Sequence, residues 1–149
     1  MQTLIISDTT CLVILEKIGH LEILKHLYGT VTITTLISKE FKKILPDWIH
    51  IRDPADSDYV HFLSQIVDPG EASAIALSAE LENCVLILDD LKARKLASEL
   101  QLKFTGTLGI ILFAKNKGLL GDMDIVIAKI QDSNFRLSKN LIEKLKSNR

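Results

Sequence analysis

At 149 residues, with 47% hydrophobic and 25% charged side chains, the chain has the make-up of one folded domain around one core, and a disordered protein is excluded. No apolar run approaches the ~20 residues of a membrane-spanning helix, no basic stretch precedes the first apolar segment, and Cys11 and Cys84 lack metal or redox spacing; a cytoplasmic protein with reduced thiols and no membrane or secretory segment is expected. The net charge of −1 exerts no overall pull on nucleic acid, yet residues 1–90 carry 6 basic and 14 acidic side chains while residues 91–149 carry 12 and 5, an asymmetry that suits a polyanionic partner.

The chain opens on Leu4-Ile5-Ile6-Ser7, a branched apolar run that reads as a buried parallel strand and stops on Asp8-Thr9-Thr10. Leu12, Val13, Leu15 and Ile18 then recur at helical spacing up to Gly19, and Leu21, Leu24 and Leu27 mark a second short helix over 20–28. Thr30 to Ile33 predicts a brief β-branched strand. Thr34 or Thr35 caps a helix with Leu36, Ile37, Phe41 and Ile44 on one stripe, closed by Pro46. Trp48 to Ile51 suggests an edge strand, and 55–67 a helix turning Tyr59, Phe62, Leu63 and Ile66 inward. Asp68-Pro69-Gly70-Glu71 opens an alanine-rich helix to about Glu82, whose face of Ala72, Ile75, Ala76 and Ala79 is small enough to lie close on a sheet.

Val85 to Leu88 is the second central strand, ending on Asp89-Asp90. A helix with Ala93, Leu96, Ala97 and Leu100 inward follows, then a short strand over 103–105 and helices over 107–117, 122–131 and 138–146. Strands alternating with helices in this way predict a three-layer α/β/α sandwich with a central, mainly parallel sheet. The whole of 1–149 reads as a single domain, with 119–149 as its C-terminal helical extension.

In open α/β sheets ligands sit beyond the carboxyl ends of the strands, so Asp8 is placed for chemistry, although it is equally a fitting N-cap. Glu40 shares a helical face with Leu36 and Ile37, where a carboxylate is costly unless paired, bound to a cation or reaching water at the rim. Glu71 stands three residues after Asp68 in the manner of a capping box, and a first-turn glutamate there can also project over the sheet edge that carries Asp8. Asp89 and Asp90 point to opposite sides of their strand; Asp90 is taken to face the crevice, leaving Asp89 as the alternative. Asp53, Asp56, Asp58, Asp122 and Asp124 read as ordinary caps, and the four histidines have neither metal-ligand spacing nor a nucleophile to serve.

Carboxylates gathered on one sheet edge repel one another and need a cation, or protons, to coexist. Their hard oxygens select Mg²⁺ or Mn²⁺, and such a site can activate water against a phosphodiester. Thr9, Thr10 and Thr107 are placed to orient the carboxylates, and Lys92 and Arg94, just beyond the acid pair, to hold phosphate oxygens or else simply to face solvent.

Asp8 with Thr9-Thr10, Glu40 in Ile-Ser-Lys-Glu-Phe, Gly70-Glu71-Ala72 and Leu88-Asp89-Asp90, in that order, resemble the PIN domain. The resemblance runs from about Leu4 to Gly118 and is closest to compact prokaryotic forms, which include toxins of toxin–antitoxin pairs. The run from Asp89 to Arg94 and Thr105-Gly106-Thr107-Leu108-Gly109 resemble one PIN subgroup in particular. The resemblance implies a Mg²⁺- or Mn²⁺-dependent endoribonuclease with Asp8, Glu40, Glu71 and Asp90 in its acidic motifs, metal held by Asp8, Glu71 and Asp90 or Asp89, an RNA substrate, a cognate antitoxin protein and a homodimer. Thr10 stands where family members commonly carry Ser, and the adjacent Asp89-Asp90 replaces a more widely spaced acid pair. Two other readings compete. A haloacid-dehalogenase-type phosphatase also starts from a strand-terminal Asp, but its chemistry wants a second acid where this chain has Thr10. A catalytically silent PIN-like module binding RNA or protein would carry the same residues.

Overall fold

A computed structural model describes residues 3–133, 135 and 137–147. Five strands, β1 (Leu4–Ser7), β2 (Val31–Ile33), β3 (Ile49–Ile51), β4 (Cys84–Ile87) and β5 (Phe104–Thr105), form one sheet in the order β3-β2-β1-β4-β5. All four strand pairings are parallel. Helices α1 (Thr9–Lys17), α2 (Ile23–Tyr28), α3 (Thr35–Phe41), α4 (Ser57–Leu63), α5 (Pro69–Glu80), α6 (Leu91–Glu99) and α7 (Thr107–Asn116) alternate with the strands and flank the sheet in an α/β/α sandwich. Helices α8 (Met123–Asp132) and α9 (Lys139–Lys146) follow, and Val126, Ile127, Ile130 and Leu145 join the same core as the sheet.

The central strands are those with the densest branched apolar runs. Ile5, Ile6, Leu86 and Ile87 are buried, as expected for strands covered on both sides. From β1 the chain steps outward to β2 and β3, then returns across β1 to place β4 on the other side. The gap between β1 and β4 is therefore the point where strand order reverses, and in such sheets the crevice opens beyond the carboxyl ends at that point. The β1/β4 register pairs Ser7 with Ile87, so Asp8 and Leu88-Asp89-Asp90 leave the sheet side by side.

Several helices differ from the sequence expectation. Helix α3 ends at Phe41 because Lys42 turns left-handed (φ 62°, ψ 16°), so Ile44 leaves the stripe and is 98% exposed. Helix α4 stops at Leu63, and the amides of Gln65, Ile66 and Val67 close tight turns onto Phe62 and Leu63. Its inward line is Leu63 and Val67, while Phe62, expected inside, is 61% exposed and Ile66 is exposed as well. Helix α5 is buried nearly all round from Ala72 to Ser78, between the sheet and neighbouring helices, whereas Ala79 lies outside. Leu100, just past the end of α6, is also exposed.

Candidate active site

Asp8 is 3% exposed at the carboxyl end of β1. Its backbone amide continues the sheet ladder to Ile87 O at 3.0 Å. Its carboxylate then divides: Oδ1 accepts from Cys11 N at 2.9 Å, capping α1, and Oδ2 accepts from Asp89 N at 3.0 Å. The cap and the crevice residue are thus one side chain, which pins the ends of β1 and β4 together. Burial first, and then the charge of Asp89, push the Asp8 carboxyl up to about 7; the two amide bonds work against this, and Asp68 adds to it. Burial and the nearby Asp8 push the Cys11 thiol well above its ordinary range, so this cysteine stays protonated and is no nucleophile.

Asp89 is held by Thr107. The amide of Thr107 donates to Asp89 Oδ1 at 2.8 Å and the Thr107 hydroxyl donates to Oδ2. Thr107 is fully buried at the first position of α7, so the Thr-Gly-Thr turn fixes the Asp89 carboxylate beside Asp8. Asp90 turns the other way and caps α6, accepting from Ala93 N at 3.0 Å on Oδ2. The expected division of roles is reversed here: Asp89 stands against Asp8, and Asp90 makes the cap. Asp90 nevertheless stays near Glu71, whose carboxyl is pushed up to about 7 by burial first, then by Asp68 and Asp90.

Glu71 belongs to the capping box that its spacing from Asp68 predicts. Asp68 Oδ1 accepts from Glu71 N at 2.9 Å, and Glu71 Oε1 accepts from Asp68 N at 3.4 Å. Asp68, read from the sequence only as a cap, raises both Asp8 and Glu71 and so bridges the two electrostatically. Its aspartate-proline-glycine-glutamate context was a signal for the helix start and gave none for this second role.

Glu40 reaches the site from α3. Its Oε1 accepts from Thr9 Oγ1 at 2.6 Å, and a methyl group at Gly70 would overlap that same oxygen. The glutamate is exposed, which is how its carboxylate coexists with the buried Ile37 and Phe41 on its helix. Gly70 is held in turn by Ser73, whose hydroxyl donates to Gly70 O at 2.7 Å and lies 2.6 Å from Thr34 Oγ1. Thr10 makes no such contact with the acids: with Thr9, Val13, Ile14, Ser133 and Phe135 it lines a hollow of about 250 Å³. Lys92 and Arg94 also part company. Lys92 borders a separate hollow with Lys95 and Glu99, while Arg94 lies over the Phe104 ring near Asp89.

Asp8, Glu40, Asp68, Glu71, Asp89 and Asp90 therefore share the carboxyl edge of the sheet. A cleft of about 630 Å³ between Glu16, His20, His26, Ile44 and Trp48 contains none of them. Among the described residues no three His, Cys, Asp or Glu side chains stand close enough to enclose one ion between them. The donor set itself suits a hard divalent cation: every candidate atom is a carboxylate oxygen, and two carboxyls are raised to about 7, Asp8 by burial and then Asp89, Glu71 by burial and then Asp68 and Asp90. Asp53, Asp56 and Asp122 do the ordinary work expected of them, accepting from Thr35 N, Tyr59 N and Asp124 N. No helix is long and apolar enough among the described residues to cross a membrane.

A family model described as a PIN domain matches residues 4–148. No curated protein and no solved structure matched the chain.

Proposed function

From the premise that this chain belongs to the PIN-domain family, a family typically of nucleases and usually metal-dependent, we propose that it is a Mg²⁺- or Mn²⁺-dependent endoribonuclease. The observation that carries this reading is the gathering of acids at the β1/β4 reversal point, with Asp8 buried against Asp89 and Asp68 within electrostatic reach of both Asp8 and Glu71. Work spent on holding like charges together in a fold is explained when a cation is to be bound there.

Asp8 and Asp89, with Glu71 and Asp90, are the residues that would hold the ion, and water would complete its coordination. The chemistry such an ion would supply is charge compensation on the phosphodiester and a more acidic water. The chain's own residues supply the rest. Thr107 keeps Asp89 from swinging away, and Thr9 holds Glu40 toward the site. Glu71, half-buried and raised by burial, Asp68 and Asp90 while no cation is bound, would ionise as a cation binds beside it. Control by a protein antitoxin belongs to the same proposal, on the resemblance to compact toxin-like PIN domains.

Mn²⁺-dependent cleavage of single-stranded RNA by the wild type and by Asp8→Asn tests the reading. The substitution keeps one backbone bond to the side chain and removes the charge, and cleavage is expected to fall about 100-fold or more. One observation favours a silent binding module instead: Asp8, Asp68, Glu71, Asp89 and Asp90 all hold backbone amides in place. No metal-dependent cleavage by folded wild type would decide for that module, and equal cleavage by both proteins would expose a contaminant.

A further inference from the structure

Arg94 is the one described residue with a buried side-chain nitrogen or oxygen lacking a hydrogen-bond partner, its Nε. The guanidinium lies over the Phe104 ring, with Cζ 5.1 Å from the ring centroid, and forms no ion pair among the described residues. A half-buried guanidinium that lies over an aromatic ring with a buried Nε–H unpaired and no ion pair is costly for a fold to maintain. The cation–π contact recovers part of that cost and holds the guanidinium over the ring.

Asp89 is not its partner. No ion pair joins the two, and the Asp89 oxygens instead accept from Thr107, through its backbone amide and its hydroxyl. The two side chains nonetheless meet across Gly106: a methyl group there would stand 3.0 Å from Asp89 Oδ1 and 3.7 Å from Arg94 Cζ. The cation therefore sits beside Asp89 at the rim of the acidic cluster without an ion pair to it. Lys92, two residues earlier, is exposed beside Lys95 on another part of α6 and offers nothing comparable.

We propose that Arg94 is a substrate-positioning residue, whose guanidinium takes the non-bridging oxygens of a phosphate in a single-stranded RNA lying across the acids. This rests on the nuclease reading for its substrate class, but not on turnover. A strand approaching five or six carboxylates is repelled, and a preset cation at the edge gives it a point of attachment and a register. A planar, pre-oriented fork suits a tetrahedral phosphate face better than a flexible ammonium does.

The test is fluorescence-anisotropy binding of a labelled single-stranded oligoribonucleotide to the full chain in EDTA, where no cleavage occurs, over a series of KCl concentrations. Arg94→Gln is expected to bind roughly ten-fold more weakly, with a log–log salt slope shallower by about 0.7, the value of one phosphate contact on a single strand. Arg94→Lys is expected to keep the wild-type slope while binding about three-fold more weakly, because the charge survives and the fork does not. An unchanged slope in Arg94→Gln overturns the proposal, as does wild-type affinity in Arg94→Lys, or no RNA binding by the wild type. Should Arg94→Gln lose its fold, Arg94→Lys decides alone by the same criteria. Cleavage with Mn²⁺ is scored separately: Arg94-dependent binding without wild-type cleavage sinks only the nuclease reading, and cleavage with an unaltered Arg94→Gln slope sinks only this one.

Discussion

Gly70 is the second residue of α5, a position where almost any side chain suits a helix, yet a methyl group there would overlap Glu40 Oε1. The obstacle is the far end of a flexible glutamate, which can move aside with no change in backbone. Gly70→Ala therefore evicts the Glu40 carboxylate from Thr9 while leaving its charge in the protein. Alanine is the better helix former by up to ~1 kcal/mol, so the thermal midpoint should hold or rise slightly. Cleavage should drop about ten-fold, as for loss of a residue that orients a site. Full activity in a folded Gly70→Ala would remove Glu40 from the site. Glycine conservation of space is thus a more selective probe here than deleting the acid.

At the scale of elements, the acids of the site are also the caps of its helices: Asp8 for α1, Asp68 for α5 and Asp90 for α6. Helix N-termini favour negative charge, so each helix start offsets part of the repulsion among these carboxylates. Capping and catalysis can be separated at Asp90. Asparagine is as good a cap, whereas alanine loses the bond from Ala93 N at a cost of about 1 kcal/mol. Asp90→Asn should melt like wild type and Asp90→Ala several degrees lower. If both lose cleavage equally, the charge matters; if only Asp90→Ala does, Asp90 is a cap, and Asp89 carries the site from the β4 end.

How much of this could be read from the sequence follows the range of the interactions concerned. Strands β1 and β4 and the capping box announced themselves because short runs and fixed spacings decide them. The early ends of α3 and α4 did not, since a lysine at φ 62° or a turn after Leu63 carries no local mark. The roles of Asp89 and Asp90 were likewise hidden: Thr107, 18 residues away, chooses between them. Arg94 on Phe104 is a tertiary stack of the same kind, visible only once β5 is placed beside β4.

For the whole molecule, parallel strands meeting at a reversal point concentrate negative charge at one edge, and this links stability to pH and to metal. Asp8 and Glu71 have folded carboxyls at about 7 against ordinary values of 3.8 and 4.5. Between those limits the folded chain binds more protons than the unfolded one, so stability falls as pH rises from about 4 to about 7 and levels off above. For buried Asp8 the loss is on the order of 4 kcal/mol; Glu71, half-exposed, adds less. A divalent cation replaces those protons and acts in the opposite sense, binding best where the acids are ionised. In EDTA the thermal midpoint should therefore be lower at pH 8 than at pH 5.5, and Mn²⁺ should raise it several degrees at pH 8 while doing little at pH 5.5. Asp8→Asn should flatten both responses, because the group whose burial makes the charge expensive is gone. A midpoint in EDTA that climbs steadily from pH 5.5 to 8 would show that these carboxyls ionise without strain, and a Mn²⁺ shift equal at both pH values would place the ion's contacts away from them.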